Sequence, residues 1–346
     1  MNNLFFPTSM RELHAPVSTG TRVAIITRTK DRPILLARAF ASVLLQTHQD
    51  WHLYLVNDGG DPGPVDRLIE QYRPVFAGRI TVQHHPHSLG MEEASNSALA
   101  MAVGDFVIIH DDDDGWHPEF LSDTVGFLNR PKNMNYAAVL TNCVVIHERI
   151  ENDRVVEESR HSWGYWKDKV DFADIASRNT SPPICLLIRK TVIDAVGHYN
   201  GALPVLGDWD YMLRILMVGD VGVINKPLAY YHHRLQARNQ VYGNSVTAGG
   251  DQHQVYDTLY RNSMVRTLLQ KQPDLLGLIT VLMRHGEEQH NSTRYEIQQL
   301  RGEIQHLMNV TLPVLRQTER ALRPLRWIWR LSYPLRRIIA KLRGRI

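Results

Sequence analysis

Four consecutive aspartates, Asp111–Asp114, follow the three apolar residues Val107–Ile109 and His110. Adjacent carboxylates cannot all stay ionised at low cost unless a cation neutralises them or solvent screens them. A D-x-D pair offers the oxygen ligands that Mg²⁺ and Mn²⁺ prefer, and it leaves coordination positions for diphosphate oxygens. If the strand continues through them, Asp111 and Asp113 share one face and Asp112 and Asp114 share the other. The pattern predicts a metal–diphosphate site rather than a solvated acidic surface.

Other polar clusters also follow short apolar runs. TRTKDR comes at the end of RVAIITRT, and NDGGD comes at the end of WHLYLVND. Because ligands bind beyond the carboxyl ends of the strands in open α/β sheets, we expect these loops and the aspartates to surround one cleft.

The elements that position these loops alternate between strand and helix. Strand patterns in RVAIITRT, WHLYLVND, RITVQHH and DFVIIHDDDD are separated by helical patterns in RPILLARAFASVLLQ, GPVDRLIEQYR and EEASNSALAMAV. Asp31 is the expected N-cap of the first helix, with Pro33 in its first turn. This alternation predicts an α/β fold with a doubly wound, mostly parallel sheet and helices on both faces.

Beyond the aspartates the pattern is less regular. YAAVLTNCVVIHERI and DRVVEESR read as antiparallel strands, TVIDAVGHY and DWDYMLRILMVG as helices, and VGVINKPLAYYHH as a closing strand. From about residue 255 to 320 the chain reads as helical. Ile297, Leu300, Ile304 and Leu307 there have the 3-4-3 spacing of a heptad seam, in a run too short to establish a coiled coil. Such a seam would pack on the chain's own domain or on a second copy.

Composition sets the broad class. Of 346 residues, 43% are apolar and 22% are charged, which is typical of a globular chain and argues against wholesale disorder. The two cysteines, Cys143 and Cys185, lie in apolar runs and are expected to be buried, reduced thiols, as in a reducing cytoplasm. The first residues show no leader pattern, and the apolar run Leu275–Met283 is too short to cross a bilayer.

The net charge of +3 conceals an acidic body with a basic tail. From Arg320 to the end there are nine Lys or Arg and no acid, so the first 319 residues carry −6. The tail ALRPLRWIWRLSYPLRRIIAKLRGRI also carries Trp, Ile, Leu and Tyr, which favours an interfacial segment on an anionic membrane. Nucleic acid is the rival partner, and a basic helix packed on the domain is the third interpretation. The abundance of Ile, Leu and Trp argues against nucleic acid.

Several segments together resemble the family 2 glycosyltransferases with the GT-A fold. VAIITRTKDRP is similar to that family's opening strand and loop, and SVLLQTHQDWHLYLVNDGGD to its S-x-x-x-Q-T helix, second strand and turn. NSALAMAVGDFVIIHDDDDGWHPEFL resembles the stretch that leads into its D-x-D. SPPICLLIRKTVIDAVGHYNGALPVLGDWDYMLRIL resembles its acceptor-side segment, in which a Glu-Asp pair opens a helix. The resemblance covers residues 22 to 234, and the order of the motifs is more specific than any one of them.

The resemblance implies a role for individual residues. Thr29 and Arg32 would line the nucleotide pocket, and Asp58 would accept a hydrogen bond from the base. Asp111, with Asp112, would belong to the nucleotide-sugar site, where Asp111 contacts the ribose or a metal-bound water. Asp113 would ligate Mn²⁺ or Mg²⁺, and His233 would be a further metal or diphosphate contact. Asp208 would be the general base, which does not prevent it from capping its helix.

The sequence departs from the family pattern at three places. Asn57 stands where an aspartate is usual, and Gly207 replaces the usual glutamate before Asp208. YYHHR does not align cleanly with the family's Y-R-x-H, so His232 and His233 are both candidates for the metal contact, and either can be a packing residue. Asn57 and Gly207 sustain the alternative of a catalytically silent, glycosyltransferase-like membrane subunit.

The expected function is transfer of a sugar from a nucleotide-diphosphate donor, with a preference for uridine, to a hydroxyl of a glycan or lipid-linked acceptor in polysaccharide biosynthesis. One base and one metal imply a single displacement with inversion. A sugar nucleotidyltransferase is the other enzyme class, but TRTKDRP lacks the glycines of its phosphate loop.

The expected organisation has four parts. A lead-in at residues 1–20 precedes a GT-A domain at 21–254, divided into a nucleotide half at 21–121 and an acceptor half at 122–254. A helical extension covers 255–319, and a membrane-associating tail covers 320–346. The protein would be cytoplasmic and peripheral on the inner membrane face, with no nucleic-acid partner and with self-association through its C-terminal helices.

Overall fold

The computed structural model describes residues 20–152, 154–234, 242–243 and 250–343. Within these residues nine strands form one mixed sheet, in the spatial order β3-β2-β1-β4-β8-β6-β9-β5, with β7 paired to β6. The strands are β1 Val23–Thr29, β2 Trp51–Asp58, β3 Ile80–His85, β4 Phe106–Ile109, β5 Gly115–Trp116, β6 Ala138–Glu151, β7 Arg154–Ser162, β8 Leu186–Arg189 and β9 Val221–His233. The predicted α/β class is confirmed.

The first half of the sheet is parallel. β1 lies between β2 and β4, with Val23 opposite both Trp51 and Phe106, and β3 extends the sheet beyond β2. All seven residues of β1 are buried, as expected for a central strand covered on both faces. This register brings the carboxyl ends of β1 and β4 together at one edge.

Helices connect and cover the strands. The described helices are α1 Pro33–Leu44, α2 Pro62–Phe76, α3 Met91–Met101, α4 Phe120–Leu128, α5 Phe172–Ser177, α6 Lys190–Val196, α7 Gly207–Val218, α8 Gly250–Lys271 and α9 Leu275–Arg343. α3 packs on β1 and β2, whereas α4 packs on β6 and β9. Short 3₁₀ turns occur at Pro131–Asn133 and Pro183–Cys185.

The second half of the sheet mixes directions. β8 is antiparallel to β4 and β6, and β6 is parallel to β9 along most of its length. β5, only two residues long, pairs with β9 directly after the aspartates. β9 is thereby held against the segment that carries the aspartates.

Two local expectations were wrong. Asp31 does not cap α1, because Pro33 at the start of the helix makes Arg32 the N-cap residue. Asp31 instead has a left-handed backbone (φ 56°), and its Oδ1 accepts a hydrogen bond of 2.8 Å from the Asp61 amide, which joins the first two loops. The fourth strand ends at Ile109, so the aspartates do not continue it; the Asp114 amide donates to the Asp111 carbonyl (3.2 Å) and closes a turn.

The chain divides into two compact units. The first extends to Arg261 and the second begins at Asn262, so the division falls within α8. The predicted lead-in lies outside the described residues except for Gly20. In the part of the chain that the structure describes, no helix is apolar over a stretch long enough to span a bilayer.

Candidate active site

The carboxyl ends of β1 and β4 bring the predicted donor residues together. The His110 amide donates to the Ile26 carbonyl (2.8 Å), so the two strands remain paired up to the start of the aspartate turn, defined here as Asp111–Asp114. Thr29, Arg32 and the aspartate turn therefore meet at one edge of the sheet, as the sequence predicts.

Two of the four aspartates point into the protein. Asp112 has no solvent exposure, and its Oδ2 accepts hydrogen bonds from Thr29 Oγ1 (2.7 Å) and Arg32 Nε (3.1 Å). Asp114 is 2% exposed and accepts a hydrogen bond of 2.8 Å from the His232 amide of β9. Burial is the main cause that raises the pKa of Asp112 to about 6 and that of Asp114 well above its ordinary value. Asp112 thus positions Thr29 and Arg32, while Asp114 anchors β9.

Asp111 and Asp113 each contact arginine. Arg28 forms an ion pair with Asp111, including an Nε–Oδ1 hydrogen bond of 3.2 Å. Arg234, which follows β9, forms a buried ion pair with Asp113, and Arg32 Nη1 lies 3.5 Å from the same Oδ2. Burial opposes ionisation of Asp113, but these arginines outweigh it and lower its pKa. Asp113 is therefore an ionised carboxylate at neutral pH.

Glu148 of β6 is a second acidic centre in the same cluster. It is 2% exposed and contacts Arg38 Nη1 (2.6 Å), Arg234 Nη1 (2.5 Å) and His232 Nδ1 (2.7 Å). Burial raises its pKa, but the hydrogen bonds from His232 and Arg38 dominate and bring it to about 2. Glu148 fixes the arginines that face the aspartate turn.

The donor set suits a divalent cation bound together with a diphosphate. The aspartate turn and Glu148 place five acidic side chains against four arginines: Arg28, Arg32, Arg38 and Arg234. Within the described ranges, no group of three or more His, Cys, Asp or Glu side chains is arranged to hold a metal by itself. Mg²⁺ is usually bound by one or two carboxylates plus substrate phosphates, so the residues present fit such an ion only when the donor supplies ligands.

The two candidate histidines have different surroundings. His232 Nδ1 contacts Glu148, whereas the His233 ring lies against Tyr231 (4.3 Å between centroids) and His147 (5.8 Å). Burial is the largest cause that lowers the pKa of His233 to about 4, so its imidazole is neutral, and its Nε2 has no hydrogen-bond partner. A neutral, unpartnered nitrogen can serve as a ligand, and the metal role of His233 stays a prediction.

Asp58, at the end of β2, organises a loop in this structure. It is 7% exposed and accepts hydrogen bonds from His85 Nδ1 (2.8 Å), Ser88 Oγ (2.6 Å), the Leu89 amide (2.8 Å) and the Gly90 amide (3.0 Å). Burial opposes its charge, but these donors outweigh it and lower the pKa of Asp58. The carboxylate thereby holds the loop that leads into α3, and its predicted contact with the base stays untested.

The side-chain amide of Asn57, where the family usually has an aspartate, takes part in a turn. Asn57 is fully buried, and its Nδ2 donates to the Gly60 carbonyl (2.9 Å) and lies 3.1 Å from His84 Nδ1. An ionised aspartate cannot donate hydrogen bonds, so Asn57 closes this turn as the usual aspartate could not. The departure from the family pattern at Asn57 therefore has a structural reason.

Asp208 lies in the first turn of α7. The N-cap is Leu206, so Asp208 does not cap the helix, and the alternative of a simple capping role is excluded. Its Oδ2 accepts from Asn179 Nδ2 (3.1 Å) and its Oδ1 from the Trp209 amide (2.8 Å). Burial raises its pKa despite these hydrogen bonds, and the charges of Arg28 and Asp111 also act on it. Asp208 is a partly exposed carboxylate with raised basicity.

The recess beside Asp208 is separate from a larger cavity elsewhere in the fold. Asp208 borders a small recess with Ser181, Tyr199 and Tyr211. A cavity of about 400 Å³ lies near the starts of β6 and β9, between Tyr136 and Gly222, and none of the predicted site residues lines it. The candidate active site is therefore identified by its arrangement of charged side chains and not by the size of a cavity.

Sequence reasoning missed the residues that balance the aspartates. Arg28, Arg38, Glu148 and Arg234 were not predicted, although Arg28 precedes Thr29 and Arg234 ends the YYHHR stretch. That stretch was the available signal: it departs from the expected Y-R-x-H, and its arginine is the residue that reaches Asp113.

Comparison with protein families decides the classification. Residues 24–197, half of the chain, match the model of glycosyl transferase family 2. The chain belongs to glycosyl transferase family 2. The predicted relationship to family 2 is therefore confirmed. Asp208 and Arg234 lie beyond the matched segment, so their roles depend on the geometry described above.

Individual relatives match over shorter stretches. The putative glycosyltransferase EpsE of Bacillus subtilis is 28% identical over 132 residues, 38% of this chain and 46% of EpsE. The succinoglycan biosynthesis protein ExoW of Rhizobium meliloti is 32% identical over 31% of this chain and 33% of its own. The chain thus spans less than half the length of these relatives.

Among solved structures, Staphylococcus aureus TarS 1–349 in complex with UDP-GlcNAc is similar with a TM-score of 0.49. It is 19% identical, and the match covers 62% of this chain and 59% of TarS.

Proposed function

We propose that this glycosyltransferase moves a sugar from a nucleotide-diphosphate donor to an acceptor hydroxyl by a single displacement with inversion. The observation that carries the proposal is the position of Asp208, which borders a recess together with Ile109, the last residue of β4 before the aspartate turn. A diphosphate-binding cluster and a candidate base thus occupy one neighbourhood of the fold.

The arginines form the donor end of the site. Arg28, Arg32 and Arg234 surround Asp111 and Asp113, and a diphosphate would compete with these carboxylates for the guanidinium groups. Guanidinium groups bind phosphate oxygens through paired hydrogen bonds, which suits a leaving group that gains negative charge. Thr29 is held by Asp112 at the edge where the nucleotide would enter.

Mn²⁺ or Mg²⁺ would be held by Asp113, with Asp111 and His233 as neighbouring contacts. When bound, such an ion supplies Lewis-acid stabilisation of the charge that develops on the diphosphate. The ionised carboxylate of Asp113 supplies the hard oxygen ligand that such an ion prefers.

Asp208 would take the proton of the acceptor hydroxyl. The acceptor oxygen forms a bond to the anomeric carbon while the bond from that carbon to the diphosphate oxygen breaks, and the bonding electrons leave with the diphosphate. A base on the acceptor side needs hydrogen-bond reach to that hydroxyl, and Asp208 is partly exposed beside a recess. One displacement of this kind inverts the anomeric configuration.

The acceptor is proposed to be a glycan or a lipid-linked saccharide in polysaccharide biosynthesis. A relative named for succinoglycan biosynthesis supports this class, and so does the basic tail, which would hold the protein on the inner membrane face. The silent-subunit alternative loses one of its two supports, because Asn57 has a structural reason.

A thermal-shift panel tests the donor site. UDP, dTDP, GDP and CDP are each added with and without Mn²⁺ to the wild type, to Asp113→Asn and to the control Asp123→Asn, a carboxylate of α4 paired with Lys226. A ligand at about 100 times its Kd stabilises by about 2.7 kcal/mol. We expect a UDP shift that depends on Mn²⁺ and that only Asp113→Asn abolishes. An equal shift without Mn²⁺ would mean that the arginines bind the diphosphate alone, and no shift with any nucleotide would contradict the proposal.

A further inference from the structure

A buried carboxyl group lies directly against the start of α7. Glu92 of α3 is 3% exposed, and its Oε2 has no hydrogen-bond partner. A Cβ atom built on Gly207 would lie 2.1 Å from Glu92 Cδ and 2.2 Å from Glu92 Oε1. The Glu92 carboxyl group therefore fills the space that a side chain at position 207 would need.

Charged groups on three elements act electrostatically on Glu92. They are Arg28 of β1, Asp111 of the aspartate turn, and Asp208 and Asp210 of α7. Burial is the largest cause that raises the pKa of Glu92 to about 7, Arg28 opposes it, and the three aspartates add to it. Glu92 therefore changes charge in the neutral pH range, unlike an ordinary glutamate.

The glycine at position 207 departs from the expected sequence but leaves no gap in the structure. The resemblance places a glutamate at this position, directly before the general base. Here the backbone position carries no side chain, yet a carboxyl group from a different helix lies against it. A glutamate at 207 would therefore displace the Glu92 carboxyl group from its present place.

We infer that Glu92 replaces the acid missing at position 207 and forms, with Asp208, the acidic pair on the acceptor side. This inference rests on the proposed function of Asp208. Glu92 is a positioning residue: its negative charge beside Asp208 favours proton uptake by Asp208. The acceptor proton still goes to Asp208, and Glu92 forms and breaks no bond in the transfer.

Packing alone does not explain this carboxyl group. Arg28 already has a partner in Asp111, and glutamate is almost never fully buried unless it is paired. If Glu92 only filled space, its replacement by glutamine would not change the pH dependence of the activity. If its charge acts on Asp208, the same replacement changes that pH dependence.

The first experiment exchanges the two positions. Release of nucleotide diphosphate from UDP-glucose, UDP-GlcNAc and GDP-mannose, with water as acceptor, is followed for five variants. These are Glu92→Gln, Glu92→Gly, Gly207→Glu, the double variant Glu92→Gly/Gly207→Glu, and the control Glu93→Gln. Glu93 is the exposed neighbour on the same helix.

We expect Glu92→Gln to lower kcat about 10- to 100-fold with the KM of the donor unchanged, which is less than the roughly 10²- to 10⁴-fold contribution of a general base because Asp208 itself remains. The change in kcat near pH 7 that ionisation of Glu92 causes in the wild type should disappear from the pH profile of this variant. Gly207→Glu should fail to fold or lose activity, because its side chain meets Glu92, whereas the double variant should regain the activity and the pH dependence that Glu92→Gly lacks. The inference is overturned if Glu92→Gln keeps the wild-type kcat and pH profile, or if the double variant is no better than Glu92→Gly.

The second experiment needs no substrate. Since folding raises the pKa of Glu92, the folded state holds an extra proton between about pH 4.5 and 7, and wild-type stability falls as pH rises through this window. Glu92→Gln lacks this loss, so its melting temperature relative to wild type should increase from pH 5 to pH 8. A difference that does not change with pH would contradict the buried state of Glu92.

The two experiments separate the possible failures. If wild-type protein releases nucleotide from none of the three donors, the proposed function is in question, and the melting curves still test the placement of Glu92. If wild-type protein turns over a donor and Glu92→Gln behaves like Glu93→Gln, this inference alone fails.

Discussion

Glu148 shows how a single buried charge can organise a site. It lies on β6, yet it contacts Arg38 of α1, Arg234 after β9 and His232 of β9. Two of these partners also contact Asp113. Arg234 contacts the Asp113 carboxylate, and Arg38 donates to the Asp113 backbone carbonyl oxygen. The charge of Glu148 therefore sets where the arginines of the donor site lie.

Removal of that charge should destabilise the protein. Glu148→Gln leaves the buried Arg234 and the half-buried Arg38 with one carboxylate fewer, and breaking a buried ion pair by removing one partner costs about 3–5 kcal/mol. The matched control is Glu158→Gln on β7, which removes an exposed pair with Arg149 and should cost at most about 1 kcal/mol. Urea denaturation measures both. Equal effects would show that the buried network contributes no stability.

Low pH should remove the stabilisation that the charge of Glu148 provides. Because folding lowers the pKa of Glu148 to about 2, the unfolded state binds its proton first. The stabilisation by Glu148 is complete above about pH 4.5 and is lost as pH falls from there towards 2. Wild-type stability should therefore drop over this window more steeply than that of Glu148→Gln, as followed by urea midpoints. Parallel curves would contradict the lowered pKa.

The residues of the site were predictable in type and less so in orientation. The sequence indicates the aspartates because four like charges after an apolar strand are conspicuous. It does not show that Asp112 and Asp114 point inward, since a turn rather than a strand sets their directions. Arg234 lies 121 residues from Asp113 along the chain, and no local spacing reveals a pairing at that distance.

At the scale of elements, the alternating half of the chain was the most predictable. Strand and helix patterns from β1 to β4 follow from apolar periodicity and turn residues, and the parallel order follows from the alternation. The N-cap assignment of Asp31 was wrong because its side chain found a partner in the next loop, at the Asp61 amide. Such a contact between loops depends on the folded sheet, which sequence patterns do not contain.

Asp58 provides a test at this scale. Asp58→Asn removes a charged acceptor from the loop before α3, so apo-protein stability should fall by about 1–3 kcal/mol, the cost of buried donors left unsatisfied. Asp61→Asn, at the N-cap of α2, is the control, because asparagine caps a helix about as well as aspartate. Urea denaturation without nucleotide measures both. Unchanged apo stability with lost UDP binding would show that Asp58 serves the base and not the loop.

At the scale of the molecule, the chain consists of two compact units with different surfaces. In the second, the predicted heptad residues Ile297, Leu300, Ile304 and Leu307 are 47–60% exposed. The helix α9 continues from this seam through the basic segment as far as Arg343. Self-association through the seam and membrane binding by residues 320–346 stay predictions, since periodicity identifies an apolar face and not its partner.

Truncation after Glu319 tests the tail. It removes nine Lys or Arg and leaves a body with a net charge of −6, so binding to anionic vesicles should be lost. Each basic residue near such a surface contributes about 1 kcal/mol, so full-length protein should sediment with phosphatidylserine vesicles and less so at high salt. Neutral vesicles are the control. Equal sedimentation of the truncated and full-length proteins would contradict membrane binding by the tail.

The central claim is that Asp208 acts as the base of sugar transfer. The direct measurement is nucleotide diphosphate release from UDP-glucose, UDP-GlcNAc and GDP-mannose by wild type, Asp208→Asn and the control Asp194→Asn, an exposed carboxylate of α6. We predict that Asp208→Asn lowers kcat about 10²- to 10⁴-fold, the usual contribution of a general base, with unchanged binding of the nucleotide and unchanged activity in the control. A variant Asp208→Asn that turns over as fast as the wild type would contradict the mechanism.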